Sequence, residues 1–98
     1  VEKGTPHCKL SVVRNLVRER KVRITQSALA GAAALNVGPA ELVATVLELE
    51  ARDFYKSMTT HADHRIWQDV YRPTTKAGAI YLKLTVVEDV LVVSFKEW

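Results

Sequence analysis

Residues 79–95 read A-I-Y-L-K-L-T-V-V-E-D-V-L-V-V-S-F, two apolar and β-branched runs on either side of Glu88-Asp89. Composition and spacing predict a β-hairpin, with strands over 79–87 and 90–95. The connection is too short for a crossover, so the strands are antiparallel. Strand side chains alternate between two faces. Ile80, Leu82, Leu84 and Val86 make one apolar face; Tyr81, Lys83 and Thr85 make the other. The apolar set must meet a covering layer, which leaves Tyr81 and its neighbours open. In the second strand Leu91, Val93 and Phe95 are expected in the core, with Val92, Ser94 and Lys96 on the open side.

Two more strands are expected upstream, over 54–60 and 66–72, separated by the polar turn 61–65 and followed by a loop over 73–78. Parity groups Phe54, Lys56, Met58 and Thr60 against Tyr55, Ser57 and Thr59. It groups Ile66, Gln68, Val70 and Arg72 against Trp67, Asp69 and Tyr71. Which group faces outward stays open. With Lys56, Gln68 and Arg72 beside Tyr81 and Lys96, the open face carries cations, an amide and a phenol, which suits a phosphodiester. With Trp67 and Tyr71 there instead, it becomes a stacking platform for bases. The expectation leans to Trp67 and Tyr71 as core aromatics.

The N-terminal half reads as helical. Thr5-Pro6 has the chemistry of an N-cap and first turn. Leu10, Val13, Leu16 and Val17 follow at helical spacing. Arg18, Arg20 and Lys21 crowd the last turn, where they suit the helix dipole or a phosphate. Residues 22–24 are too short for more than a strand fragment or an extended link. Thr25 caps an alanine-rich helix running to about Leu35. Asn36 and Gly38 stop it, and Pro39 starts a third helix whose apolar face is Leu42, Val43, Val46, Leu47 and Leu49. Helices first and strands afterwards predict an α+β domain, an antiparallel sheet of four or more strands with two to three helices on one face. At 98 residues the chain is expected to be one domain, 1–98.

Nearly half the residues are hydrophobic and about a quarter are charged, a globular composition. No apolar run approaches a membrane span of about 20 residues, and the first residues have no signal-peptide core, so no membrane partner and a cytoplasmic location are expected. The single cysteine, Cys8, forms no internal disulfide and is expected as a partly buried structural thiol. The net charge is +3, unevenly spread. Residues 1–23 and the strand region hold seven Lys or Arg each, while 24–51 hold none. A basic surface of this kind suits a polyanion such as RNA.

Three segments carry a resemblance. They are D-F-Y-K-S-M-T-T-H-x-D-H-x-I-W-Q-D-V-Y-R-P at 53–73, E-K-x-T-P-H at 2–7, and Y-L-K-L-T-V-x-x-D-V-L-V-V-S-F-K-E at 81–97. Together they resemble the motility quorum-sensing regulator (MqsR) toxin family, along the whole chain and least in the helices over 25–50. The resemblance implies a RelE-like fold and the toxin of a type II toxin-antitoxin system. It implies an endoribonuclease that cuts mRNA at short GC-containing sequences without the ribosome. It also implies a cognate antitoxin with a zinc-binding N-terminal domain and a helix-turn-helix C-terminal domain. The family's active-site residues fall on Lys56, Gln68, Tyr81 and Lys96, with Tyr55, Met58, Arg72 and His7 as substrate-binding neighbours.

Cleavage by attack of the ribose 2′-hydroxyl needs a base, an acid and positive charge. Lys96 and Arg72 are expected to stabilise the phosphate. Lys56 is expected as base, provided that neighbouring cations lower its pKa. Tyr81 is expected as acid or as positioner of the 2′-hydroxyl. Gln68 orients the phosphate or reads a base edge, and His64 is available to assist the acid step. His61 and His64 flank Asp63, but H-x-D-H is not a zinc signature; no metal and no cofactor are expected. The competing readings are a non-catalytic RNA- or DNA-binding regulator using the same basic face, and a protein-interaction module with an acidic partner.

Overall fold

A computed structural model describes all residues, 1–98. The predicted hairpin is its centre: β6 (Gly78–Val86) and β7 (Val90–Glu97) pair antiparallel about the Glu88-Asp89 turn. β4 (Trp67–Tyr71) joins the other edge of β6, and β3 (Phe54–Thr59) joins β4, both antiparallel. Two short strands complete the edges. β1 (Glu2–Lys3) pairs antiparallel with β3, and β2 (Val22–Ile24) lies parallel to β7, giving the order β1-β3-β4-β6-β7-β2. β5 (Thr74–Thr75) folds back on the start of β6 inside the expected loop. The helices α1 (Leu10–Arg18), α2 (Gln26–Ala34) and α3 (Pro39–Leu47) precede the four long strands. The class is α+β, as expected.

The layer between helices and sheet is the core. Val13, Val17, Ala28, Ala32, Leu42 and Val46 from the helices meet Tyr71, Ile80, Leu82, Leu84, Val90, Val92 and Phe95 from the sheet. The alanines of α2 serve close approach. A methyl group at Gly31 would sit 2.0 Å from the Phe95 carbonyl oxygen, so only glycine lets α2 rest directly on β7. Thr25 caps α2 by accepting a hydrogen bond from the Ala28 N–H at 3.1 Å.

Two expectations are corrected and one open reading is settled. The first helix starts at Leu10, not at Thr5-Pro6. The buried Asp69 carboxylate takes up the N–H groups of His7 and Cys8, both at 3.0 Å, and ties that bent, non-helical segment to the sheet. Of the two readings of 22–24 the strand fragment holds: it is a parallel edge strand, because its backbone pairs with Val90 to Val92, and Arg23 and Asp89 close that edge with an ion pair at 2.7 Å. In β7 a bulge interrupts the register, so Lys83 pairs with Ser94 while Leu84 pairs with Val92. The extra residue, Val93, shifts the parity. Val90, Val92 and Phe95 are buried, rather than Leu91, Val93 and Phe95. No single helix is long and apolar enough to cross a membrane.

Candidate active site

The face of the sheet turned away from the helices is assembled by cross-strand pairing, since residues directly opposite each other share a face. Lys56 lies across from Val70, Val70 from Lys83, and Lys83 from Ser94. These four form a row across β3, β4, β6 and β7. One step along, Tyr81 lies across from Lys96, and Tyr71 across from Leu82, which brings Arg72 beside Tyr81. On the other side of the row, Gln68 lies across from Met58, and Met58 from Glu2. The open alternatives therefore resolve to Lys56, Gln68 and Arg72 on the face of Tyr81 and Lys96. From Gln68 to Arg72 the face spans about 13 Å along β4.

Tyr55 reaches this face through a second bulge. The register slips between Phe54 and Lys56, so Phe54 pairs with Tyr71 while Lys56 pairs with Val70. Phe54 turns to the core and packs edge-on to Tyr71 with ring centroids 5.5 Å apart, while Tyr55 is released to the open side. Simple alternation put Phe54 with Lys56; the bulge reverses that.

Val70 is the floor. It is fully buried, yet it is not part of the cluster packed under the helices. Lys56 and Lys83 flank it across the strands on the open face, and side chains of this kind can lay their aliphatic stems on an apolar floor while their charged ends stay outward.

Above this floor stand four cations, Lys56, Arg72, Lys83 and Lys96. Lys56 alone of the four forms an ion pair, donating to the Glu2 carboxylate at 2.8 Å. That bond holds the Lys56 ammonium above its ordinary range and the Glu2 carboxyl below its own. The lowering of the Lys56 pKa by neighbouring cations, on which its expected role as base depended, is not found: the Glu2 contact raises it instead. The proton instead comes off more easily at Lys83, where burial first, then the charges of Lys96 and Lys56, lower the pKa.

Arg72 is held by aromatic rings. Its guanidinium lies 4.6 Å from the Tyr55 ring centroid and 4.8 Å from that of Trp98. Trp98 in turn stacks on Tyr81 at 5.7 Å and meets Tyr55 edge-on at 5.3 Å. The Lys96 ammonium sits over the Tyr81 ring at 5.1 Å. Cation–π contact restrains a cation without neutralising it, so Arg72 and Lys96 are positioned and still charged. Lys83, Glu2 and Trp98 were absent from the expected site. Lys83 was legible by parity with Tyr81. Glu2 and Trp98 lie outside the predicted strands and gave no local signal.

His7 is not brought to this face. It stacks on Trp67 at 5.5 Å, and Lys3 approaches both, 4.1 Å above the Trp67 ring and 3.1 Å from the His7 ring nitrogen Nδ1. Trp67 is across from Thr59, next to the Ser57–Asp69 pair, which is the opposite side of the sheet. Tyr71 is wholly buried on that side too, so there is no stacking platform of Trp67 and Tyr71. His64 stands exposed in the β3–β4 turn. Asp63 in that turn takes hydrogen bonds from the Arg65 backbone and guanidinium. Nowhere do three His, Cys, Asp or Glu side chains gather as a metal cluster. The Cys8 thiol is partly buried, and burial together with the charge of Asp69 raises its pKa, as befits a structural thiol.

A family model described as motility quorum-sensing regulator, toxin of MqsA, matches residues 5–97. The chain belongs to this toxin family. It is 53% identical over 97 residues to the mRNA interferase toxin MqsR of Escherichia coli (strain K12), an alignment that covers 99% of both proteins.

Proposed function

We propose that this chain is the toxin of a type II toxin-antitoxin system, an endoribonuclease that cuts mRNA at short GC-containing sequences without the ribosome and so arrests translation and growth. Residues 1–98 act as one catalytic domain in the cytoplasm. The observation that carries this reading is the convergence of Lys56, Arg72, Lys83 and Lys96 on one sheet face around the Tyr81 phenol. Family membership and the mRNA interferase activity named for the relative support it.

The reaction is intramolecular transesterification. The 2′-oxygen attacks phosphorus, the bond to the 5′-oxygen breaks, and a 2′,3′-cyclic phosphate and a 5′-hydroxyl result. Negative charge builds on the phosphorane oxygens, where preorganised cations act most strongly. Arg72 and Lys96 hold the phosphate from the aromatic end of the face. Lys56, kept charged by Glu2, adds a third cation. Tyr81, between Arg72 and Lys96, donates its proton to the departing oxygen. Gln68 and Met58 lie beyond Lys56 and meet the neighbouring nucleotide, the amide of Gln68 reading a base edge. The reaction is metal-independent: the face supplies cations, not the carboxylate set that magnesium takes.

The cognate antitoxin is a protein with a zinc-binding N-terminal domain and a helix-turn-helix C-terminal domain; the family's description as toxin of MqsA supports such a partner.

The test is cleavage of a short GC-containing RNA by the purified chain with chelator present. Multiple turnover is expected, with 2′,3′-cyclic phosphate ends and complete resistance of a strand carrying 2′-deoxyribose at the cut. Binding without turnover would favour the non-catalytic regulator. A 3′-hydroxyl product that requires Mg²⁺ would overturn the mechanism.

A further inference from the structure

Lys83 occupies the middle of the catalytic face. It lies in the row Lys56–Val70–Lys83–Ser94, separated from Lys56 by one strand, β4, and next to the Tyr81–Lys96 pair. The charged and titratable groups that face it are Tyr81 on its own strand, Lys96 on β7, Lys56 on β3 and Arg72 just beyond β4; the Glu2 carboxylate, across from Met58 on this face, is engaged with Lys56. Lys83 makes no ion pair and no side-chain hydrogen bond, and it is partly buried over Val70. The other cations have occupations: Lys56 holds Glu2, Arg72 lies between two rings, and Lys96 lies over Tyr81.

We infer that Lys83 is the proton acceptor of the cleavage, a catalytic residue whose free amine takes the proton of the attacking 2′-hydroxyl. The inference rests on the ribonuclease reading above and names its base. A lysine serves as a base when desolvation and like charges favour its neutral form, and these two causes act on Lys83 in that order: burial, then Lys96 and Lys56. A central position is also what the chemistry requires. The 2′-oxygen is on the same ribose as the 3′-oxygen of the scissile phosphate, so the base must stand within reach of the phosphate-binding cations, as Lys83 does beside the Tyr81–Lys96 pair.

The protons balance. The 2′-oxygen gives its proton to Nζ of Lys83 and bonds to phosphorus. The bond from phosphorus to the 5′-oxygen breaks, and that oxygen takes the phenolic proton of Tyr81. Lys83 leaves the step as an ammonium and Tyr81 as a phenolate; transfer of one proton from Lys83 to Tyr81 through water restores both. Arginine at position 83 keeps the charge and cannot take part, because its guanidinium stays protonated throughout the accessible range.

The deciding experiment is single-turnover cleavage of one RNA by wild type, Lys83→Arg and Lys83→Met from about pH 5 to about pH 10. Alongside it runs an NMR titration of the Lys83 ammonium in the wild-type chain. The wild-type rate should climb with pH and level off at the pKa measured for Lys83, below the ordinary value of about 10.4. Both variants should lose about 100-fold or more in rate, together with that pH dependence. If Lys83→Arg cuts within about threefold of wild type on the same pH profile, Lys83 supplies charge alone and the inference fails. It fails equally if Lys83 titrates at or above the ordinary value, a measurement that stands even if a variant does not fold. Wild-type cleavage separates the two levels of the argument. An active wild type with an active Lys83→Arg sinks only the base; an inactive wild type sinks the ribonuclease reading itself.

Discussion

The Glu2 carboxylate accepts a hydrogen bond from the Lys56 ammonium at 2.8 Å, across the edge between β1 and β3. This single contact decides what Lys56 can do. The pair is exposed, so it adds little to stability, but its carboxylate competes with a phosphate for the Lys56 ammonium. Glu2→Gln should therefore tighten binding of an uncleavable 2′-deoxy analogue by about three- to tenfold at low salt. The gain should shrink as salt rises, with the melting temperature little changed. The sign of the pH dependence follows from the two pKa directions. The lowered carboxyl of Glu2 keeps the pair intact through its ordinary range, and the pair is lost as pH falls through the folded value, which lies below that range. The raised ammonium of Lys56 keeps it intact until pH climbs through its own folded value, above about 10.4.

Trp98 fixes both Arg72 and Tyr81 by contact with each. Trp98→Ala removes one wall of the Arg72 cage and one face of the Tyr81 stack. At about 1 kcal/mol per cation–π contact, the single-turnover rate should fall about fivefold in a protein that still folds. Trp98→Phe should recover most of that loss. Full activity in Trp98→Ala would mean that Tyr55 alone holds Arg72.

Tyr71 is buried with its hydroxyl unpaired. An unsatisfied buried polar group costs free energy, so Tyr71→Phe should leave stability unchanged or raise it by up to about 1 kcal/mol in denaturant unfolding. Burial, then the charge of Asp69, pushes the phenol's pKa above its ordinary value. A raised folded pKa means that the unfolded chain ionises first, so this residue's contribution is complete below about pH 10 and is lost as pH rises further. The wild type should lose stability above that point faster than Tyr71→Phe does.

Gly31 lets α2 lie on β7, where an added methyl group would meet the Phe95 carbonyl oxygen at 2.0 Å. Gly31→Ala should destabilise the fold by about 1–3 kcal/mol through overpacking, read as a lowered melting temperature. Lys96 follows Phe95 directly, so cleavage should weaken as well, even at temperatures where the variant is folded.

Much of the architecture was legible in the alternation of 79–87 and 90–95 and in the caps at Thr25 and Gly38-Pro39. These features are local: period-two patterning, turn chemistry and a hydroxyl three residues from the N–H it caps. The start of α1 was misread for the converse reason. Thr5-Pro6 has good local helix chemistry, but Asp69, more than sixty residues away in sequence, captures the backbone of His7 and Cys8. Val93 and Tyr55 were misassigned because a bulge is a mismatch between two strands and leaves no mark in either one alone.

The sequence by itself determined the α+β class, the central hairpin, the outward side of β6 and, through its resemblance, the family. Only the tertiary structure decided which sides of β3 and β4 face outward, since alternation defines two faces without saying which one the helices cover. Tertiary structure also carried His7 to the opposite side of the sheet, paired Lys56 with Glu2, and left Lys83 partly buried between like charges. Those outcomes depend on register, on bulges and on charges brought close from distant parts of the chain. None of these is a property of a residue and its neighbours in sequence, and for that reason the ionisation of the face could be known only once the strands were placed side by side.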